Sequence, residues 1–272
     1  MNTLFNEIIG NEVAITMLQN IINAGNIAPA YLFTGISGIG KFKATLLFAQ
    51  YLIKSKYELL VVLPEGATTN KPTIKIEQMR EASAWCATKP AIGTRKVVII
   101  NAEGGLSEKC SNAILKTLEE PPSYITIIIV SNHEMLPTIN SRCHRIDFKQ
   151  LSNDEVVTVL ENNGHSNVHE AIISASYGSP GRALQILEVW DELSPFIENL
   201  STPPKTTCEA LNHSNEISKL DHSSQLLLLQ LLGVTWWTSL KDPHLLGKCT
   251  AAVQFIDKVS AHAVWDNLLI PM

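Results

Sequence analysis

Four short stretches near the start of the chain are apolar almost without a break: AYLFT (Ala30–Thr34), LLVVL (Leu59–Leu63), KVVII (Lys96–Ile100) and ITIIIV (Ile125–Val130). None alternates polar with apolar residues, so none fits a sheet with one wet face. Strands covered by helices on both sides do read this way. Between them, about Phe42–Lys54, Ile74–Ala84 and Ser107–Glu119 carry helical spacing, and Arg145–Phe148 can supply a last strand. Strands alternating with helices argue for an α/β fold, a doubly wound parallel sheet flanked by helices.

Beyond Leu151 the strand signals stop. Ser152 can cap a helix beginning NDEVV, with acidic residues in its first turn. Gly164 can end it, a second helical stretch runs to Tyr177, and GSPGRALQI restarts a helix. STPPKTT (Ser201–Thr207) reads as a linker, because adjacent prolines stop helices on both sides. The remainder reads as helical, with Trp236 and Trp237 in its core. Three segments result: an α/β domain over 1–150, a small helical domain over 151–200 and a short helical domain over 201–272.

Charge and cysteine usage narrow the function classes. A net charge of −5 over 272 residues means that any nucleic-acid contact needs a local basic patch or a basic partner. The richest apolar run, LLLLQLLGV (Leu226–Val234), is shorter than the roughly 20 residues a membrane span needs, so no membrane partner is expected. No basic segment followed by an apolar one marks a signal peptide. Cys86, Cys110, Cys143, Cys208 and Cys249 are scattered without a CxxC pair, which predicts neither disulfides nor zinc and fits a reducing cytoplasm.

GISGIGKF, residues 35–42, follows the first strand and opens a helix. Gly35, Gly38 and Gly40 let backbone N–H groups surround a phosphate at the helix N-terminus, and Lys41 would reach its outer oxygens. The hydroxyl that should come next, to hold magnesium, is replaced by Phe42, and Lys43 is no substitute. The acidic pair expected at the end of a neighbouring strand is Asn101-Ala102, which has neither the charge nor a proton acceptor. Glu103 is one residue further on, where a strand's two-residue period would turn it to the other face. Hydrolysis is therefore not expected. Weak ATP or ADP binding without magnesium-dependent turnover stays open.

The stretch NAILKTLEEPPSYITIIIVSNHEMLPTINSRCHRIDF, with IIGNEVAITMLQNII, APAYLFTG, IKIEQMREA and GSPGRALQI, resembles clamp-loader subunits of the AAA+ class over roughly the first 190 residues. The resemblance implies a RecA-like AAA+ domain, a helical lid and a collar-like helical domain. It further implies a non-hydrolysing, stator-like member of a bacterial DNA polymerase III loader. Partners would be the ATPase and delta-type subunits in a hetero-oligomeric ring, with the sliding clamp and primer-template DNA reached through the complex. Two departures stand out. Lys54–Arg95, where relatives carry a cysteine-rich zinc module, holds only Cys86, and the region after Thr207 is short for a collar.

Arg142, in SRC, matches the arginine that such subunits extend to a neighbour's γ-phosphate, a role suited to an always-charged fork. The plain alternative is a local ion pair with Asp147 or Glu134. Arg182, in GSPGRAL, matches a lid arginine that contacts nucleotide or docks the lid. Ser131-Asn132 stand where relatives sense the γ-phosphate, or merely end a strand, and Lys116 is the one candidate phosphate contact on its helix, with a solvated lysine as the plainer account. The rival reading is a divergent AAA+ ATPase that recruits magnesium through Glu103. A third is an adaptor outside any polymerase complex.

Overall fold

The structure, a computed structural model, describes residues 3–66 and 72–271; residues 67–71 of the interval Lys54–Arg95 lie outside it. A 3-10 turn (Thr3–Phe5) precedes α1 (Glu12–Ala24), β1 (Ala30–Thr34), α2 (Lys41–Leu52), a second 3-10 turn (Lys56–Glu58) and β2 (Leu59–Val62). Then come α3 (Ile76–Cys86), β3 (Lys96–Asn101), α4 (Glu108–Glu119), β4 (Ile125–Ser131), the single turn α5 (Pro137–Asn140) and β5 (His144–Asp147). The elements that follow are helices: α6 (Asn153–Asn162), α7 (Glu170–Ala175), α8 (Pro180–Glu188), α9 (Trp190–Asn199), α10 (Thr207–Ile217), α11 (His222–Leu240), α12 (Pro243–Phe255) and α13 (Ala261–Leu269).

Contacts group the chain into two units. One holds the described residues up to Thr158 together with Ser179–Gly181; the other holds Val159–Gly178 and the described residues from Arg182 onward.

In the first unit the five strands form a parallel sheet in the order β2-β3-β4-β1-β5. Its central strands are sealed: Val97–Ile100 of β3 and Ile127–Val130 of β4 are each 0% exposed. Val98, Ile100, Ile127 and Ile129 join Met79, Ala82 and Cys86 of α3 and Ile114 and Leu118 of α4 in one apolar cluster. Tyr31 of β1 meets Phe48 of α2 edge-on at 5.2 Å. Truncating one of these isoleucines to alanine would typically cost about 2–5 kcal/mol. Because the strands are parallel, their C-terminal ends share one edge, where open α/β sheets place ligands. Ser152 caps α6 as expected, in a reciprocal box: its Oγ accepts from Glu155 N at 3.3 Å, and Glu155 Oε2 accepts from Ser152 N at 2.7 Å.

Between α2 and β3, buried polar groups pin the chain. Glu58, 2% exposed, accepts backbone N–H bonds from Gly93, from Ile92 at 3.1 Å and from Lys54 at 3.3 Å. Lys96, 4% exposed, donates to Trp85 O, Thr88 O and Thr88 Oγ1 and lies 3.6 Å from the Trp85 ring centre.

The second unit is built around α11. Leu228, Leu229, Leu231, Leu232 and Trp236 are all buried there, and Trp236 Nε1 donates to Leu200 O at 2.6 Å. Trp265 of α13 donates to Gln225 Oε1 at 2.9 Å. The expectation that both adjacent tryptophans are buried is corrected: Trp236 is 1% exposed but Trp237 45%. Consecutive helical residues point about 100° apart, so the two cannot face one core.

The Gly93 N–H, and behind it those of Ile92, Lys54 and Ser55, hold the Glu58 carboxyl below the usual carboxylate range against the cost of burial. A depressed folded pKa stabilises above the unfolded value, and that contribution fades as pH falls through the folded one. Glu58→Gln should therefore melt several degrees below the native chain at pH 7, with the gap closing under acid. Melting curves of both proteins across that range check this, and a gap independent of pH would refute it.

Candidate functional site

β1 hands the chain at Thr34 to the glycine loop, and α2 begins at Lys41. Gly35, Gly38 and Gly40 have φ of +142°, +77° and +92°, values that glycine adopts without strain. At Gly35 space also demands it, since a Cβ would overlap the carbonyl oxygen of Phe148.

Lys41 is 1% exposed, and its ammonium is already engaged. Nζ donates to Ile36 O and lies 2.6 Å from Glu103 Oε1, while Ser37 Oγ donates to Glu103 Oε2 at 3.2 Å. Burial pushes the Lys41 pKa down, and the hydrogen bond and charge of Glu103 oppose that shift. This placement corrects the expectation for Glu103. β3 ends at Asn101, so the strand's two-residue period no longer applies. A turn closed by Gly105 N on Ala102 O carries the carboxylate back to the loop. The Gly104-Gly105 pair was the available signal that the strand had ended.

The other positions are committed elsewhere. Phe42 contributes a ring where a hydroxyl would sit, and the next hydroxyl on α2, Thr45 Oγ1, donates to Lys41 O at 2.9 Å. Lys43 pairs with Glu7 at 3.0 Å. Asn101 Oδ1 accepts from Glu103 N at 3.2 Å, and Ala102 is buried. Magnesium-bound nucleotide triphosphate does not fit this set: the lysine is spoken for, and Phe42, Asn101 and Ala102 supply no anionic or hydroxyl ligand.

The loop is also braced from residues 179–181. Ser179 Oγ donates to Ser37 O at 2.8 Å and Gly181 N to Gly38 O at 2.9 Å. A Cβ on Gly181 would stand 2.7 Å from Gly38 Cα, so only glycine permits this approach. At the end of β4, the buried Ser131 hydroxyl accepts from His133 N at 3.1 Å and donates to His133 O at 2.9 Å. Asn132 lines a polar cavity of about 370 Å³ with Thr34, Asn140, Arg145 and Asp147.

Arg142 follows α5. Its Nη1 donates to Thr138 O at 2.8 Å and to Ser141 Oγ at 3.2 Å; Nη2 reaches Glu119 Oε1 at 2.7 Å. A local carboxylate does hold it, but neither Asp147 nor Glu134: Asp147 takes Arg145 at 2.6 Å and the Thr34 hydroxyl. Glu119 went unnoticed because it is 23 residues away in sequence, at the end of α4. Half-exposed pairs of this kind are worth about 0–1 kcal/mol.

Arg182, in the second unit, donates to Gln230 of α11, and its guanidinium lies 5.2 Å from the Tyr177 ring centre. Burial holds its pKa below the ordinary arginine value. Lys116 is exposed on α4. Among the described residues no three metal-ligating side chains converge, and no helix is long and apolar enough to cross a membrane.

A family profile described as DNA polymerase III, delta subunit, matches residues 57–152, and one described as cyanobacterial DNA polymerase III delta prime, C-terminal domain, matches 154–272. DNA polymerase III subunit tau/gamma of Haemophilus influenzae is 32% identical over 56% of this chain and 25% of its own. Subunit tau of Escherichia coli is 31% identical over 67% of this chain and 30% of its own. Subunit gamma of Buchnera aphidicola subsp. Schizaphis graminum is 30% identical over 78% and 64%. The chain thus spans between a quarter and a third of the length of the first relatives it matches. For the fold, a gamma subunit-related protein of Thermotoga maritima superposes with a TM-score of 0.58 at 21% identity, covering 94% of this chain and 97% of that one. The Thermotoga maritima RuvB Holliday junction branch migration motor gives 0.52 at 15%, covering 93% and 86%. The parallel sheet is that of the AAA+ fold, and two delta-type profiles that meet end to end beside tau and gamma relatives make this chain a DNA polymerase III clamp-loader-related subunit.

Proposed function

We propose that this chain is a non-hydrolysing, stator-like subunit of a bacterial DNA polymerase III clamp loader, which works in the cytoplasm. It assembles with ATPase and delta-type subunits and acts on the sliding clamp and primer-template DNA through them. One observation carries the reading: both halves of the nucleotide site lack a ligand for a divalent ion, and the nearby carboxylate of Glu103 is bound to Lys41 and Ser37. That commitment also weighs against an ATPase that uses Glu103 for magnesium. Every ~1.4 kcal/mol of lost transition-state stabilisation is tenfold in rate, and three missing groups remove several such increments.

In this reading Arg142 gives the subunit its share in catalysis. Its fork is anchored from behind by Thr138 O and held in front by Glu119, a weak pair that a neighbour's γ-phosphate can replace. The arginine then stabilises charge developing on a phosphoryl group bound by the neighbouring subunit.

The purified chain should release no orthophosphate from Mg·ATP above a buffer control; steady, magnesium-dependent release would favour the ATPase. Co-purification with the ATPase subunits separates a loader subunit from an adaptor for some other complex. In a reconstituted loader, Arg142→Ala should assemble normally, and turnover at the site it completes should fall by roughly 10³-fold or more. Arg142→Lys should recover little, because an ammonium cannot fork onto two oxygens. Normal turnover in a fully assembled Arg142→Ala complex would leave the arginine a purely local role.

A further inference from the structure

The missing magnesium ligands account for lost hydrolysis, but not for lost binding. A glycine loop at a helix N-terminus holds phosphate through backbone N–H groups and its lysine, and both are present here. We infer that Glu103 is an internal occupant of the loop's anion seat: its carboxylate holds Lys41 where a phosphate would otherwise be held, and so keeps nucleotides out. This rests on the non-hydrolysing reading above and concerns the same loop.

Three observations carry it. First, the ion pair is intramolecular and buried on the lysine side: Lys41 is 1% exposed and Glu103 23%, and Glu103 Oε1 lies 2.6 Å from Lys41 Nζ. Second, Glu103 is gripped from the loop itself, through Ser37 Oγ, so the carboxylate bridges two residues of the phosphate-binding turn. Third, the turn that presents it is constrained. Glu103 N is bonded to Asn101 Oδ1 and Gly105 N to Ala102 O, and a Cβ on Gly104 would stand 2.7 Å from Pro72 O. The carboxylate is delivered to the lysine rather than drifting there.

The electrostatic consequence is direct. Lys41 and Glu103 cancel, and Lys43 is turned to Glu7, so an incoming phosphate meets no uncompensated cation from these residues. To bind, it must displace a carboxylate that remains nearby as a like charge. Neutralising Glu103 removes competitor and repulsion together and leaves a buried ammonium that an anion can satisfy.

The test uses the whole chain, without magnesium, and two probes, pyrophosphate and ADP, titrated calorimetrically and by thermal shift. Glu103→Gln, nearly isosteric, should bind both at least tenfold more tightly than the native chain and should gain melting temperature when they are added. Adding Lys41→Ala to that variant should abolish the gain. If Glu103→Gln and Glu103→Ala fold but bind no more tightly than the native chain, the proposal is wrong. The native chain is an independent arm: saturable pyrophosphate binding at submillimolar concentration would overturn the inference, because the seat would be open with Glu103 in place, whereas no binding supports it. Phosphate release from Mg·ATP by the native chain would instead sink the non-hydrolysing reading. A missing affinity gain leaves that reading intact.

Discussion

Burying a parallel sheet on both faces is the constraint from which the rest of this structure follows. Once β3 and β4 are sealed, their backbones can bond only to neighbouring strands, and their side chains must be apolar above and below. Polar chemistry is pushed to the strand ends. The sheet is parallel, so the glycine loop after β1, the Asn101 turn after β3 and the Ser131 turn after β4 come together at one edge. The contact between Lys41 and Glu103 exists because the ends of β1 and β3, far apart in sequence, are held in one sheet on either side of β4.

At that edge and beside it, two cations are committed to very different degrees. Lys41 is enclosed with a carboxylate and a backbone carbonyl, where breaking the pair strands a charge away from water. Arg142 has a partner too, but both side chains are partly open to solvent, and such pairs exchange cheaply. Burial therefore separates a cation held tightly from one held loosely.

Between α2 and β3 the chain is held down by two buried charges. Glu58 collects N–H groups from two chain segments, and Lys96 collects carbonyl and hydroxyl oxygens from the end of α3. Glu58 is met by backbone N–H groups, and Lys96 by two backbone carbonyls and the Thr88 hydroxyl. This anchoring answers to pH through Glu58.

Much of this was legible in the residues, for local reasons. Runs such as KVVII and ITIIIV declare buried strands, Ser152 with Glu155 declares a helix start, and Phe42 with Asn101-Ala102 declares lost ligands, because each depends on neighbours a few positions away. Where the reading failed, it extended a local rule past its end. Glu103 was assigned a strand's alternation after the strand had stopped, and Trp237 a core that its helix turns away from. The sequence by itself determined the strands, the glycine loop and which chemical groups the site lacks, since side-chain identity needs no coordinates. Only the tertiary structure decided who meets whom: Glu103 on Lys41, Glu119 on Arg142, Gly181 on Gly38. Those pairings depend on the close approach of segments 23 to 143 residues apart, and the packing of the sheet and its covering helices sets that approach.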